Sequence, residues 1–208
     1  MRLFRPVGLH ELALIWDSGM QRFPPRLPHQ PLFYPVASAE YARQIARDWN
    51  THDENSGFAG YVTEFVVSDP YIEKFERRLV GSRSHVEFWI PANELANFND
   101  SVHGLISVQE AFFGIRFRGW VPESLGLEGT DVAKQFVIMS ETWDWSTMDF
   151  VLEVSANRKT FYLNFLFWAQ FDFRSEGISR QRRDATIERL REAWSLYPTD
   201  IALPGTSM

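Results

Sequence analysis

The 208-residue sequence contains no cysteine. That excludes disulfides, a thiol nucleophile and any cysteine-ligated zinc site, and it fits a reducing compartment. Long apolar runs are missing too. The most apolar stretch, residues 161–171, carries Asn164 and Gln170 and is far shorter than the roughly 20 residues a bilayer-spanning helix needs. The opening residues are interrupted by Pro6, Gly8, His10 and Glu11, with no small-residue cleavage site, so they do not read as a signal peptide. The expectation is a cytoplasmic protein with no membrane partner. Recognisable metal spacing is also lacking: His10, His29, His52, His85 and His103 are scattered, and no metal is expected. There is no glycine-rich dinucleotide fingerprint, no P-loop and no nucleophile elbow. Positive charge is in deficit, with a net charge of −6, which argues against broad binding to a phosphate backbone.

Aromatic residues are plentiful: 18 Phe and 8 Trp give ring surface both for buried sheets and for stacking on a flat ligand. The first half alternates short strands and helices. Leu3–Phe4 opens as a strand, residues 9–17 follow as a helix, and Gly19 is placed to end it. Residues 23–31 hold four prolines and must form a stiff loop. Residues 32–36 read as a second strand. Ser38 is placed to cap a helix over residues 39–49, with Tyr41, Ala42, Ile45 and Trp49 as its apolar stripe. Further strands are expected over residues 57–67, 85–90 and 104–113, with a short helical stretch after Pro91.

Gly119, Pro122, Gly126 and Gly129 then break all periodicity, which places a linker over residues 116–134. Beyond it, residues 135–140, 150–155 and 160–171 are read as three strands, with 156–159 as the tight turn between the last two. Residues 178–194 are read as a helix capped by Ser179. The expected class is therefore α+β: a domain over residues 1–115, the linker, and a small antiparallel sheet backed by a helix over 135–208.

Three residues of the first half form an ordered set on successive short strands: Arg5 in Leu-Phe-Arg-Pro-Val, Tyr34 in Leu-Phe-Tyr-Pro-Val, and Glu87 in His-Val-Glu-Phe-Trp-Ile-Pro. Alternation along the third strand sends Val86, Phe88 and Ile90 to the core, and His85, Glu87 and Trp89 to the other face. His85 then sits about 7 Å from Glu87 along the strand.

In this order and setting, residues 1–115 resemble the ADP-ribosyltransferase fold. There a first strand offers His or Arg, a second Ser or Tyr, and a third a catalytic Glu. Residues 3–50 also resemble small bacterial proteins labelled ADP-ribosylation or crystallin-like, through Arg-Pro-Val-Gly-Leu, Phe-Pro-Pro-Arg-Leu-Pro, Phe-Tyr-Pro-Val and Ile-Ala-Arg-Asp-Trp-Asn. The resemblance implies a split β-sheet with flanking helices and a cleft for NAD, used as a substrate. Cleaving the nicotinamide–ribose bond builds positive charge on the ribose, so Glu87 is expected to hold the ribose hydroxyls and stabilise that cation. Arg5 would clamp the pyrophosphate or a ribose, and Tyr34 would stack on nicotinamide. Arginine-modifying members carry Glu or Gln where this chain has His85, a base suited to a hydroxyl or water acceptor. The mixture Arg–Tyr–Glu departs from the family's usual combinations, Arg with Ser or His with Tyr. The implied activity is ADP-ribosyl transfer to a protein, nucleic acid or small molecule, or NAD hydrolysis. The alternative is a non-catalytic module on the same fold that binds nucleotide or protein, in a toxin or phage-defence setting. The second part would cover the cleft, select the target or pair two copies as a homodimer.

Overall fold

The computed structural model describes residues 1–82, 84–123, 125–197 and 199–205. The chain divides into two compact units, Met1–Phe117 and Arg118–Met208.

The first unit is mixed α and β. Its elements run β1 (Arg2–Val7), α1 (Leu9–Asp17), β2 (Leu32–Phe33), α2 (Ala39–Asp48), β3 (Ala59–Val67), α3 (Asp69–Ile72), β4 (Glu76–Leu79), β5 (Val86–Pro91), α4 (Leu95–Asp100) and β6 (Val102–Phe113). They build two three-stranded antiparallel sheets, β1-β3-β6 and β2-β5-β4. The sheets meet at one residue. Val36 bridges to Phe4 on one side and to Glu87 on the other, and Phe4 and Val36 exchange both main-chain hydrogen bonds, at 2.9 and 2.8 Å. In this antiparallel register the next pair would be Pro6 with Tyr34. Proline has no N–H to give, so pairing stops there and the two sheets part. The expected strand over 32–36 is accordingly reduced to Leu32–Phe33 plus the Val36 bridge.

Two apolar layers hold this unit together. On one side α2 lays Tyr41, Ala42 and Ala46 against Phe4, Val36 and Val62. On the other, Phe33 packs at 5.0 Å from Phe23 and 5.2 Å from Phe98, with Phe65 at 4.9 Å from Phe23. The proline-rich loop enters this second layer through Phe23, whose backbone N–H and C=O both pair with the buried amide of Asn99 at 2.9 Å. A side chain thus stands in for a strand partner, which lets a loop with few donors lie against the core.

The second unit corrects the expectation of a small antiparallel sheet. Its described residues form α5 (Val132–Trp145), α6 (Thr147–Ala156), α7 (Arg158–Gln170) and α8 (Arg180–Ser195), with 3₁₀ turns at Leu125–Leu127 and Phe173–Glu176. The segments read as three strands fall in α5, α6 and α7, with Phe171 just past the end of α7, and the turn expected over 156–159 is the α6–α7 junction. The reason lies in α7, where every residue from Thr160 to Trp168 is buried. A helix enclosed on all sides shows no polar face, and its run of Phe and Leu has the texture of a buried strand. Caps fix the helix starts: Asp131, Ser146 and Ser179 each accept a backbone N–H from the first turn. Only the last helix was expected, and Ser179 does cap it.

Of the segment expected as linker over 116–134, residues from Arg118 onward fall in this unit. Asn164, fully buried in α7, accepts from Trp120 N–H at 2.8 Å and donates to Trp120 C=O at 2.9 Å. It also donates to Gln135 Oε1 at 2.7 Å, and Gln135 donates to the carbonyls of Trp120 and Thr130. No described helix of the chain is long and apolar enough to cross a membrane.

Candidate functional site

The face of β5 away from Val86, Phe88 and Ile90 carries a carboxylate held at both of its oxygens. Val86, Phe88 and Ile90 are buried, so Glu87 and Trp89 point the other way, as alternation requires. Both carboxylate oxygens of Glu87 are held. Tyr41 Oη donates to Oε1 at 2.9 Å, and Trp89 Nε1 donates to Oε2 at 2.9 Å. Each oxygen keeps a further lone pair for a ligand hydroxyl.

The supports of this carboxylate come from three elements. Ser38 caps α2 by accepting the N–H of Tyr41 at 3.2 Å, and its own hydroxyl donates to Ser84 C=O at 2.9 Å. One residue therefore fixes both the helix start that carries Tyr41 and the loop that leads into β5. His85 stacks on the Tyr41 ring, 4.2 Å between centroids and 15° from parallel. Tyr41 is thus clamped between a cap, a stacked imidazole and a carboxylate. Burial, then the hydrogen bond and charge of Glu87, pushes its hydroxyl up to about 12, so it remains a donor at neutral pH.

Tyr34 approaches from β2. Its ring stands edge-on to Trp89 at 5.5 Å, with planes 78° apart. Arg78 of β4 also packs on Trp89, its guanidinium carbon 3.6 Å from the ring centroid. Tyr34, Trp89 and Glu87 share one face, so Tyr34 and Glu87 converge on the same indole. His85 joins them through Tyr41.

Arg5 is placed differently. Phe4 shares the face of Val36 and Glu87, so Arg5 turns to the opposite face of β1. It is buried there. Its Nε and Nη2 donate to the two oxygens of Glu11, at 2.8 and 3.1 Å, and its guanidinium lies 4.5 Å from the Phe33 ring centroid. Nη1 donates to the main-chain oxygen of Tyr34 at 3.3 Å. That oxygen is the acceptor Pro6 cannot reach, so a side chain spans the gap where main-chain pairing ends. Arg5 meets the backbone of Tyr34, and its contacts do not include Glu87.

Tyr41 and Trp89 as holders of Glu87, and Glu11 as the partner of Arg5, were not foreseen. The position of Trp89, two residues from Glu87 on one strand face, was a readable signal for its bond. Tyr41 lies 46 residues from Glu87 in sequence and left no such signal.

A cavity of about 450 Å³ lies elsewhere in this unit, bordered by Leu14, Phe23, Pro24, Pro25, Leu95 and Asn99. None of Arg5, Tyr34, His85 or Glu87 lines it. Among the described residues no group of three His, Asp or Glu side chains is arranged to hold a metal ion. Comparison with known proteins finds no matching family model, no matching curated protein and no matching solved structure.

Proposed function

We propose that residues 1–117 are an ADP-ribosyltransferase-like unit that binds NAD beside the Tyr34 and Trp89 rings and breaks its nicotinamide–ribose bond. The observation that carries this reading is Glu87, a carboxylate on a strand whose two oxygens are oriented by Tyr41 and Trp89 beside an aromatic pair. Such a group meets the requirement of the reaction. The C–N bond breaks with both electrons leaving on nicotinamide, and the cation left on the ribose needs a fixed negative charge that does not reorganise. The attacking oxygen of an acceptor or of water then bonds to that carbon. His85 is the base close to Glu87 that can take the proton. The divided sheet, parted at Pro6, supports the same reading, because it opens the sheet beside Tyr34.

Arg5 favours a second reading, binding without cleavage. Its fork is committed to Glu11, so a pyrophosphate clamp at that residue would have to share or displace a close ion pair. The two readings separate in one experiment: NAD is titrated into the protein while free nicotinamide is quantified, with Glu87→Gln in parallel. Cleavage lost in the variant supports the first; saturable binding with no nicotinamide from either protein supports the second.

A further inference from the structure

In the second unit, the start of α7 is left open by its own residues. Asn157 stands between α6 and α7 and flanks both. Its N–H closes the end of α6 on Glu153 C=O at 3.0 Å, and its Nδ2 donates to Glu153 Oε1 at 2.7 Å. The side chain is thereby committed to α6, and α7 begins with no side-chain cap on its first-turn N–H groups. The charges there oppose the helix dipole. The first two residues of α7 are Arg158 and Lys159, and its first turn holds no acid, although the positive end of a dipole favours one.

A cavity of about 280 Å³ lies at this helix start, bordered by Trp120, Pro122, Glu123, Asn157, Lys159 and Thr160. Thr160, in the first turn, is only 2% exposed, and its hydroxyl has no hydrogen-bond partner among the described residues. The little surface it keeps faces the cavity. A buried hydroxyl with no partner costs free energy, and valine would fill the same space without that cost. Lys159 reaches the cavity with its ammonium 4.6 Å from the centroid of the Trp120 ring. Arg158 contributes no wall; its guanidinium carbon lies 3.7 Å from the centroid of the Trp194 ring. Donors of three kinds therefore meet at one opening: main-chain N–H groups, a hydroxyl and an ammonium. A phosphate, with several acceptor oxygens and more charge than a carboxylate, satisfies them together.

We propose that the start of α7, with Thr160 and Lys159, binds a phosphate group in this cavity. The anion caps the open N–H groups, accepts from the Thr160 hydroxyl and meets the charge of Lys159. Glu123, exposed at the same cavity, repels the anion and limits its affinity. The phosphate can be inorganic or carried by a small ester whose body rests against Trp120 and Pro122; the chemistry at the helix start is the same. Every residue of the site belongs to the second unit, so the site does not depend on NAD cleavage in residues 1–117.

The test uses the full chain in phosphate-free buffer, with inorganic phosphate, phenyl phosphate and acetate as separate probes. It reads the shift in melting temperature and the calorimetric affinity. Both phosphates should raise the melting temperature, and acetate should bind more weakly than either. Tighter phenyl phosphate would mark an ester as the source; equal affinities would mark inorganic phosphate. Thr160→Val should weaken phosphate binding about 10-fold or more, the loss of one hydrogen bond to a charged group. The same variant, without ligand, should melt no lower than wild type, because an unpaired buried hydroxyl has been removed; a threonine kept for structure would lower it. Glu123→Gln, which removes the repelling charge, should tighten binding about 2- to 5-fold. The proposal is overturned if neither phosphate shifts the wild-type protein, if Thr160→Val binds both as tightly as wild type does, or if acetate binds as well as phosphate. Glu87→Gln should leave phosphate binding unchanged, so failure here and failure of the NAD reading are told apart.

Discussion

The hydroxyl of Tyr41 donates to Glu87 Oε1 at 2.9 Å, joining the first turn of α2 to the middle of β5. The bond decides where the carboxylate points, and it couples the titration of one group to the charge of the other. Burial and Glu87 together push the Tyr41 hydroxyl up to about 12. An unfolded tyrosine loses its proton near 10. Between those values the unfolded chain releases the proton and the folded chain retains it. This contribution to stability is therefore complete below about pH 10 and is lost as pH rises toward about 12. Denaturant unfolding of wild type and Tyr41→Phe at about pH 9 and about pH 11.5 should show a steeper alkaline loss in wild type. Equal pH dependence in the two proteins would refute the coupling.

Gly60 sets how closely α2 approaches β3. A methyl group there would lie 2.1 Å from the main-chain oxygen of Ala46 and 2.5 Å from its Cα. Neither atom belongs to a flexible side chain, so the helix itself would have to move. Gly60→Ala should cost at least about 2 kcal/mol in chemical denaturation. Because α2 carries Tyr41, the variant should also weaken any binding at the Glu87 face. A variant as stable as wild type would mean the helix yields freely.

In the second unit, Asn164 satisfies both main-chain groups of Trp120 and the side-chain oxygen of Gln135. Asn164→Leu keeps the volume but leaves buried polar groups without partners. The expected loss is about 2–4 kcal/mol, read from denaturant unfolding. A loss under about 0.5 kcal/mol would show that water replaces the amide at little cost.

The first unit was largely legible because its signals are local. The alternation Val86, Phe88, Ile90 against Glu87, Trp89 fixes the faces of β5, and Ser38 marks the start of α2. Pro6, two residues after Phe4, carries the reason the sheet divides, although only the register of Val36 reveals it. The short pieces α3 and β4 were missed: Glu76–Leu79 is Glu-Arg-Arg-Leu, polar on both faces, and it is a strand only because β5 pairs with it. The second unit was misread for the opposite reason. With Thr160 to Trp168 buried all round, α7 loses the periodicity that distinguishes helix from strand, and aromatic content then points to sheet. Asp131 and Ser146, each accepting an N–H from the first turn of the helix that follows, were the signals for helices. At the site, the shared face of His85, Glu87 and Trp89 was visible in the sequence. The commitment of Arg5 to Glu11 was not, because it depends on how α1 turns back beside β1.

The most direct test of the central claim is release of nicotinamide from NAD by the purified full chain, compared with Glu87→Gln. Glutamine keeps the size of the side chain and removes its charge. Wild type should release nicotinamide, and the variant should release it at least roughly 100-fold more slowly, the scale expected when a fixed transition-state charge is lost. Release undiminished in Glu87→Gln would contradict the claim, as would a wild-type protein that binds NAD and releases no nicotinamide.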